Sequence, residues 1–319
     1  MAQRQVTPGH GGPPGPSTLA AFLGTVVIGG SNFTAVAFSN KELAPLFGAT
    51  VRFGAAAVLM FAITFAGRYR LPRGRAITGA VVYGSLGFGA AYGLLYFAID
   101  GLGAGTLSVL LASAPLVTLA LAVVYGQERF TTRGVVGAVL VIVGFAVLSA
   151  DKLGTVRPIY LVAGLLAVLS VSTSTVVIKG YPQAHPVTSN AIGMASGAVL
   201  LAAGSLVVGE PWTVPADGST WMALLWLAVL GTVGMFAMFL YVVKTWTASA
   251  SAYVVTLMPI VAIPVAALLL GERATPPVVA GAGLVIAAVY VGALRRGRPR
   301  PRVSVPESPE RVPDPASGS

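Results

Sequence analysis

Between a polar leader and a polar tail, the chain alternates long apolar runs with short polar breaks. Ten runs reach roughly the 17–25 residues a helix needs to cross the hydrocarbon of a bilayer. They cover 18–38, 45–67, 76–98, 103–125, 132–150, 158–178, 187–209, 221–243, 248–270 and 276–294. The breaks are rich in turn formers and charge, as in GRYRLPRGR before the third run and YPQAHP before the seventh. The pattern predicts an all-α polytopic membrane protein of ten transmembrane helices, with no room for a soluble catalytic domain. Residues 1–17 (Gly/Pro-rich) and 296–319 (Arg/Pro-rich) have little to bury and are expected to be disordered.

Composition agrees: 55% of the 319 residues are hydrophobic and 9% charged, where a soluble domain carries about 25% charged. The 39 Gly have no triplet period, which excludes collagen. The net charge of +10 changes the picture only once it is located. Its Lys and Arg sit at helix ends and in the tail, so the basic balance orients the chain rather than binding nucleic acid. With the N-terminus inside, the inner segments hold most of the 20 basic residues, and the outer ones hold only Lys41, Lys152, Arg157 and Arg273. Both termini are therefore expected in the cytoplasm, with the protein in the cell (inner) membrane. The absence of Cys removes disulfides, thiolate metal sites and Cys nucleophiles together. With two His, no intramembrane carboxylate and no GxxxxGK[ST] loop, no metal, cofactor, ATP-driven or enzymatic chemistry is expected.

The runs repeat. At a constant offset of 144, Pro115 meets Pro259, Glu128 meets Glu272, Arg129 meets Arg273, Gly137 meets Gly281, Gly87 meets Gly231 and Tyr92 meets Phe236. The first two runs match the sixth and seventh at an offset of 141, through Ser31/Ser172, Thr34/Thr175 and Pro45/Pro186. Each half (18–150 and 158–295) thus has five helices, and an odd number turns the second copy upside down. In membrane proteins an inverted duplication points to a carrier with its site between the repeats.

Two five-helix halves, each with Pro in the fourth span (Pro115, Pro259) and a Gly-Glu-Arg-like turn thirteen residues on, resemble the EamA transporters of the drug/metabolite transporter superfamily. The matching turns are Gly126, Glu128 and Arg129, and Gly271, Glu272 and Arg273; Pro45 followed by Arg52 also fits. The resemblance covers residues 18–295. It implies ten helices with both termini inside and the export or exchange of small metabolites, amino acids among them.

Several residues are candidates for the site. Phe88, Tyr92 and Tyr96 recur every four residues and share a helix face. Tyr92 corresponds to Phe236, which Met235 and Phe239 flank. These residues suit two aromatic walls of a cavity, and equally packing, lipid contact or, for Tyr96, an interfacial belt. The polar run Ser31-Asn32-Phe33-Thr34 and its counterpart Ser172-Thr173-Ser174-Thr175 must find partners within the bundle, at a solute or between helices. Pro115 and Pro259 are expected to interrupt their helices at a site or hinge, or to form static kinks. Glu128-Arg129 and Glu272-Arg273 are expected to fix turns. Arg52 lies about 10 Å into its helix, at 1.5 Å per residue from Pro45. It either snorkels outward or draws a substrate carboxylate inward. Lys179 and Lys244 are either membrane anchors or an anion funnel.

The reading is a carrier that exports or exchanges small neutral or zwitterionic metabolites, aromatic or apolar amino acids first, by alternating access. A monomer is sufficient for the pathway, and an oligomer is compatible with it. The rivals are an exchanger of anionic metabolites selected by Arg52, Lys179 and Lys244, and a non-transporting receptor or scaffold that signals through its tail.

Overall fold

The computed structural model describes residues 15–127, 132–150, 157–182, 184–245 and 248–291. The expectations for most of both tails, and for Glu128 and Arg129, fall outside these residues. Every regular element among the described residues is helical. The helices are α1 (Pro16–Ser39), α2 (Pro45–Ala66), α3 (Arg75–Gly84), α4 (Ala91–Leu102), α5 (Ala104–Ala112), α6 (Ala114–Val124), α7 (Thr132–Ala150), α8 (Pro158–Ile178), α9 (Pro186–Val208), α10 (Gly218–Leu225), α11 (Met235–Thr245), α12 (Ala248–Leu270) and α13 (Pro276–Val289). Proline opens α1, α2, α8, α9 and α13, where its missing N–H has no helical partner to lose.

Among the described residues, seven helical stretches are long and apolar enough to cross a membrane: Pro16–Ser39, Pro45–Ala66, Arg75–Leu102, Ala104–Val124, Pro158–Ile178, Pro186–Val208 and Gly218–Phe239. Val135–Gly144, Val254–Leu270 and Pro276–Val289 are shorter apolar helices. Outward-facing Val58, Phe65, Val199, Val207 and Leu268 give the bundle an apolar exterior suited to lipid.

Two features depart from the sequence expectation. α3 and α4 are joined through a π-helical segment, Ser85–Ala90, and α10 and α11 through another, Trp226–Gly234. The two end at residues 90 and 234, the offset of the repeat. Pro115 does follow a break, at Ser113 between α5 and α6, but α12 runs unbroken through both Pro259 and Pro264.

The packing brings repeat counterparts together. α2 lies along α9, and α7 along α13. At one end of the first pair, the Glu210 carboxylate after α9 accepts the N–H groups of Leu46 and Phe47 at the start of α2, at 3.1 and 2.9 Å. At the other end, Tyr69 after α2 stacks on His185 before α9, with centroids 4.2 Å apart. α2 and α9 therefore run antiparallel. A close approach fixes α3 against α9: a Cβ on Gly84 would collide with the backbone of Gly193. Glycine at both positions is what lets the two backbones meet.

Three carboxylates tie the halves at one end. Glu210 caps α2; Glu272 accepts the N–H groups of Ala104 and Gly105 at 2.7 and 3.1 Å; Glu42 accepts those of Ala216 and Asp217 before α10 at 3.1–3.2 Å. Each carboxylate meets the free donors and the positive dipole end of a helix. Gly103, at φ +78°, makes the turn that presents the start of α5 to Glu272.

Candidate functional site

Where the halves meet, α1, α2, α4, α5, α11 and α12 enclose a cavity of about 50 Å³ lined by Gly29, Asn32, Phe33, Val36, Arg52, Tyr92, Leu95, Leu111, Met235 and Met258. That volume holds one or a few waters. An amino acid enters only if the walls move apart. Met235 and Met258, unbranched and flexible, close over Gly29 and are the side chains best able to give way.

Its polar wall is built on the second π segment. The Asn32 amide donates to the Gly231 carbonyl at 2.9 Å, while its own Oδ1 is buried without a hydrogen-bond partner among the described residues. Arg52 is only 2% exposed, so it points into the protein and not out to the interface. Its Nη2 donates to the same Gly231 carbonyl at 3.4 Å and its Nε to the Thr232 hydroxyl at 3.3 Å. Both are at the long end for hydrogen bonds. Thr232 in turn donates to the Leu227 carbonyl at 2.7 Å, a five-residue reach that belongs to the π geometry. The guanidinium lies 5.1 Å from the ring centres of both Phe53 and Tyr92. Among the described residues it has no carboxylate partner. At the offset of 141, the position matching Arg52 is Gly193, so the repeat carries this charge once.

The aromatic candidates divide. Tyr92 lines the cavity and meets Phe53 edge-on at 4.7 Å. Phe88 stands behind it, 5.4 Å from Phe53 and 5.5 Å from Tyr83, and packs on Gly197 of α9. Tyr96 is fully buried behind the wall, with a hydroxyl that has no hydrogen-bond partner among the described residues. In the second half Met235 lines the cavity, and Phe236 and Phe239 pack on the adjoining core. Ser172 donates to the Ala114 carbonyl at 3.2 Å, joining α8 to the break before α6, and Thr173 bonds its own helix at Leu169. Lys179 is exposed, and Arg273 lines a separate hollow near Asp100 and Glu272. The side chain of Lys244 lies outside the described ones.

Gly29, Val36, Leu95, Leu111 and Met258 are wall residues that sequence reading missed. Apolar residues in an apolar span carry no mark of which way they face. Phe53, which backs Tyr92 rather than lining the cavity, had one signal, its place beside Arg52.

Comparison with known proteins places this geometry. The profile of the EamA-like transporter family matches residues 16–150 and again 158–293. The chain is 26% identical over 275 residues to an "Uncharacterized transporter" of Archaeoglobus fulgidus, covering 85% of this chain and 97% of that one. It is 29% identical over 282 residues to a "Probable amino-acid metabolite efflux pump" of Salmonella typhimurium, covering 83% and 91%. It is 25% identical over 274 residues to the "Uncharacterized inner membrane transporter YedA" of Escherichia coli K12, covering 85% and 89%. One solved structure superposes with a TM-score of 0.61 at 17% identity, over 87% of this chain and 96% of its own, a likeness of fold alone. The chain belongs to the EamA-like transporter family and is a multi-pass membrane transporter.

Proposed function

We propose that the protein is an alternating-access carrier that exports or exchanges small neutral or zwitterionic metabolites, with apolar and aromatic amino acids as the first candidates. The chain crosses the membrane ten times, as two inverted five-helix halves (18–150 and 158–295), with both termini in the cytoplasm of a cell whose inner membrane it spans. One chain forms the whole pathway. The carrying observation is the cavity itself: Asn32, Tyr92 and Arg52 from the first half and Met235 and Met258 from the second enclose one space. The antiparallel run of α2 beside its counterpart α9 supports the inverted relation, and the name of the Salmonella typhimurium relative supports amino-acid metabolites.

Tyr92 supplies a flat wall, Asn32 an amide that can accept from an ammonium group, and the methionines an adaptable apolar lid. Pro115, beside the break at Ser113, is a pivot; α12 runs through Pro259 without a break. Counterflow into proteoliposomes tests this directly. Vesicles loaded in turn with L-phenylalanine, L-leucine, sugars or phosphorylated metabolites are expected to show saturable uptake of labelled amino acid only against amino acid inside. Tyr92→Ala is expected to raise the half-saturation concentration about tenfold, the worth of one aromatic contact of roughly 1.5 kcal/mol. Wild-type behaviour of that variant would remove Tyr92 from the site.

A further inference from the structure

Among the described residues, Arg52 is the one ionised group on the cavity wall, and it is under-compensated. A guanidinium has five donors. Here two are used, at 3.3 and 3.4 Å, both to neutral oxygens. The rings of Tyr92 and Phe53 offer it a weak quadrupolar attraction and no counter-charge. The acidic residues of the helix ends are engaged elsewhere: Glu42, Glu210 and Glu272 cap helix starts, and Asp100 accepts from Asn40 at 2.8 Å. A buried cation held only by neutral groups is costly, because its desolvation goes unrepaid. Beside it, the Asn32 Oδ1 is buried with no hydrogen-bond partner among the described residues. Asn32 and Arg52 donate to the same Gly231 carbonyl, so their free polar atoms lie within reach of one small solute.

We propose that Arg52 anchors a substrate carboxylate, and that its lone charge makes the carrier an exchanger of carboxylate-bearing solutes with apolar or aromatic side chains. This inference rests on the function proposed above. The carboxylate meets the guanidinium, and an ammonium group, where the solute has one, meets Asn32 Oδ1. The side chain lies against Phe33, Val36, Leu95 and Met258. The consequence for the cycle is electrostatic. To pass from one side to the other, the site must close and shed water. With a carboxylate bound, it does so as a neutral pair with charge-assisted hydrogen bonds. Empty, it must do so with a bare cation in a low dielectric. The empty return is therefore the slow limb, and a carboxylate on the far side relieves it.

The test uses the full-length protein in proteoliposomes loaded with labelled L-phenylalanine. The outer solutions are L-phenylalanine, 3-phenylpropionate (no ammonium), and L-phenylalaninamide and phenethylamine (no carboxylate). Hydrogen bonds to charged groups are worth roughly ten- to hundredfold in affinity. We expect outer L-phenylalanine and 3-phenylpropionate to accelerate efflux about tenfold or more, and the two carboxylate-free solutes not to. Arg52→Lys should keep the preference with weaker affinity, and Arg52→Gln should lose both the preference and the acceleration.

Melting of the purified protein in detergent supplies an independent reading. If Arg52 is an anchor, Arg52→Gln melts no lower than the parent, and 3-phenylpropionate stabilises the parent only. If it is a strut for Gly231 and Thr232, Arg52→Gln melts lower and responds to the ligand as the parent does, which overturns the proposal. Acceleration by phenethylamine equal to that by L-phenylalanine would overturn it as well. A parent that transports none of the probes, yet is stabilised by 3-phenylpropionate through Arg52, would sink the amino-acid carrier reading and leave the anchor standing. No transport and no carboxylate-dependent stabilisation would remove the anchor.

Discussion

Single side chains set what each end and the middle of this bundle can do. At the tied end, the Thr220 hydroxyl, helped by the N–H groups of Asp217 and Ala216, holds the Glu42 carboxyl below the usual carboxylate range against its desolvation. A carboxyl whose pKa is lowered by folding stabilises the fold above its unfolded pKa, and loses that contribution as pH falls through the lowered, folded value. The melting temperature of the parent should therefore exceed that of Glu42→Gln at neutral pH, and the gap should close on acidification through that lowered value. A gap that is constant with pH would mean that Glu42 acts by packing alone. In the middle, legibility followed chemistry. Asn32 and Tyr92 were readable because a polar or aromatic group in a spanning helix must find a partner. Arg52 was readable as a position but not as a direction, since inward pointing depends on how α2 is rotated against its neighbours. Met258 and Leu111 resemble any lipid-facing residue until the helices are packed.

Helices were the most legible level, because each apolar run must satisfy its own backbone and has one way to do so in lipid. What joins them was not legible. Glu272 sits beside Arg273 between α12 and α13, yet its carboxylate acts on the start of α5, 168 and 167 residues away in sequence. No local pattern encodes that partner. Glu272→Ala should destabilise the protein by about 1–2 kcal/mol, the worth of a charged cap at a helix start. This would be seen as a lower melting temperature, with Glu272→Gln intermediate. An unchanged melting temperature in both would make the contact incidental. The π segments were equally hidden, since no proline marks them. Their value shows in the carbonyls they turn outward: Gly231 serves Asn32 and Arg52, and Leu86 accepts from Ser170 of α8 at 2.9 Å. In each case a helix of one half bonds a wide turn of the other. The prolines behaved unequally because Pro115 adjoins a break at Ser113, whereas α12 absorbs Pro259 within continuous turns.

For the molecule as a whole, orientation is the open expectation that a simple measurement reaches. The chain has no native cysteine, so single cysteines report cleanly. Val214 and Arg73 are both exposed and lie at opposite ends of the bundle. In intact cells a membrane-impermeant maleimide should label Val214→Cys, and should label Arg73→Cys only after permeabilisation; the reverse pattern would invert the topology. The pairing of α2 with α9 and of α7 with α13 has a further consequence when viewed as ancestry. Two separate copies of one half, associated through the same surfaces, would each carry an arginine at position 52, so that two buried like charges would share one bundle. Fusing the copies into one gene frees each to drift alone. The second copy carries glycine where the first carries arginine, and spends the vacated room on backbone contact with Gly84. A fused duplication can thus hold an odd number of charges at its centre, which no symmetric pair of halves can do.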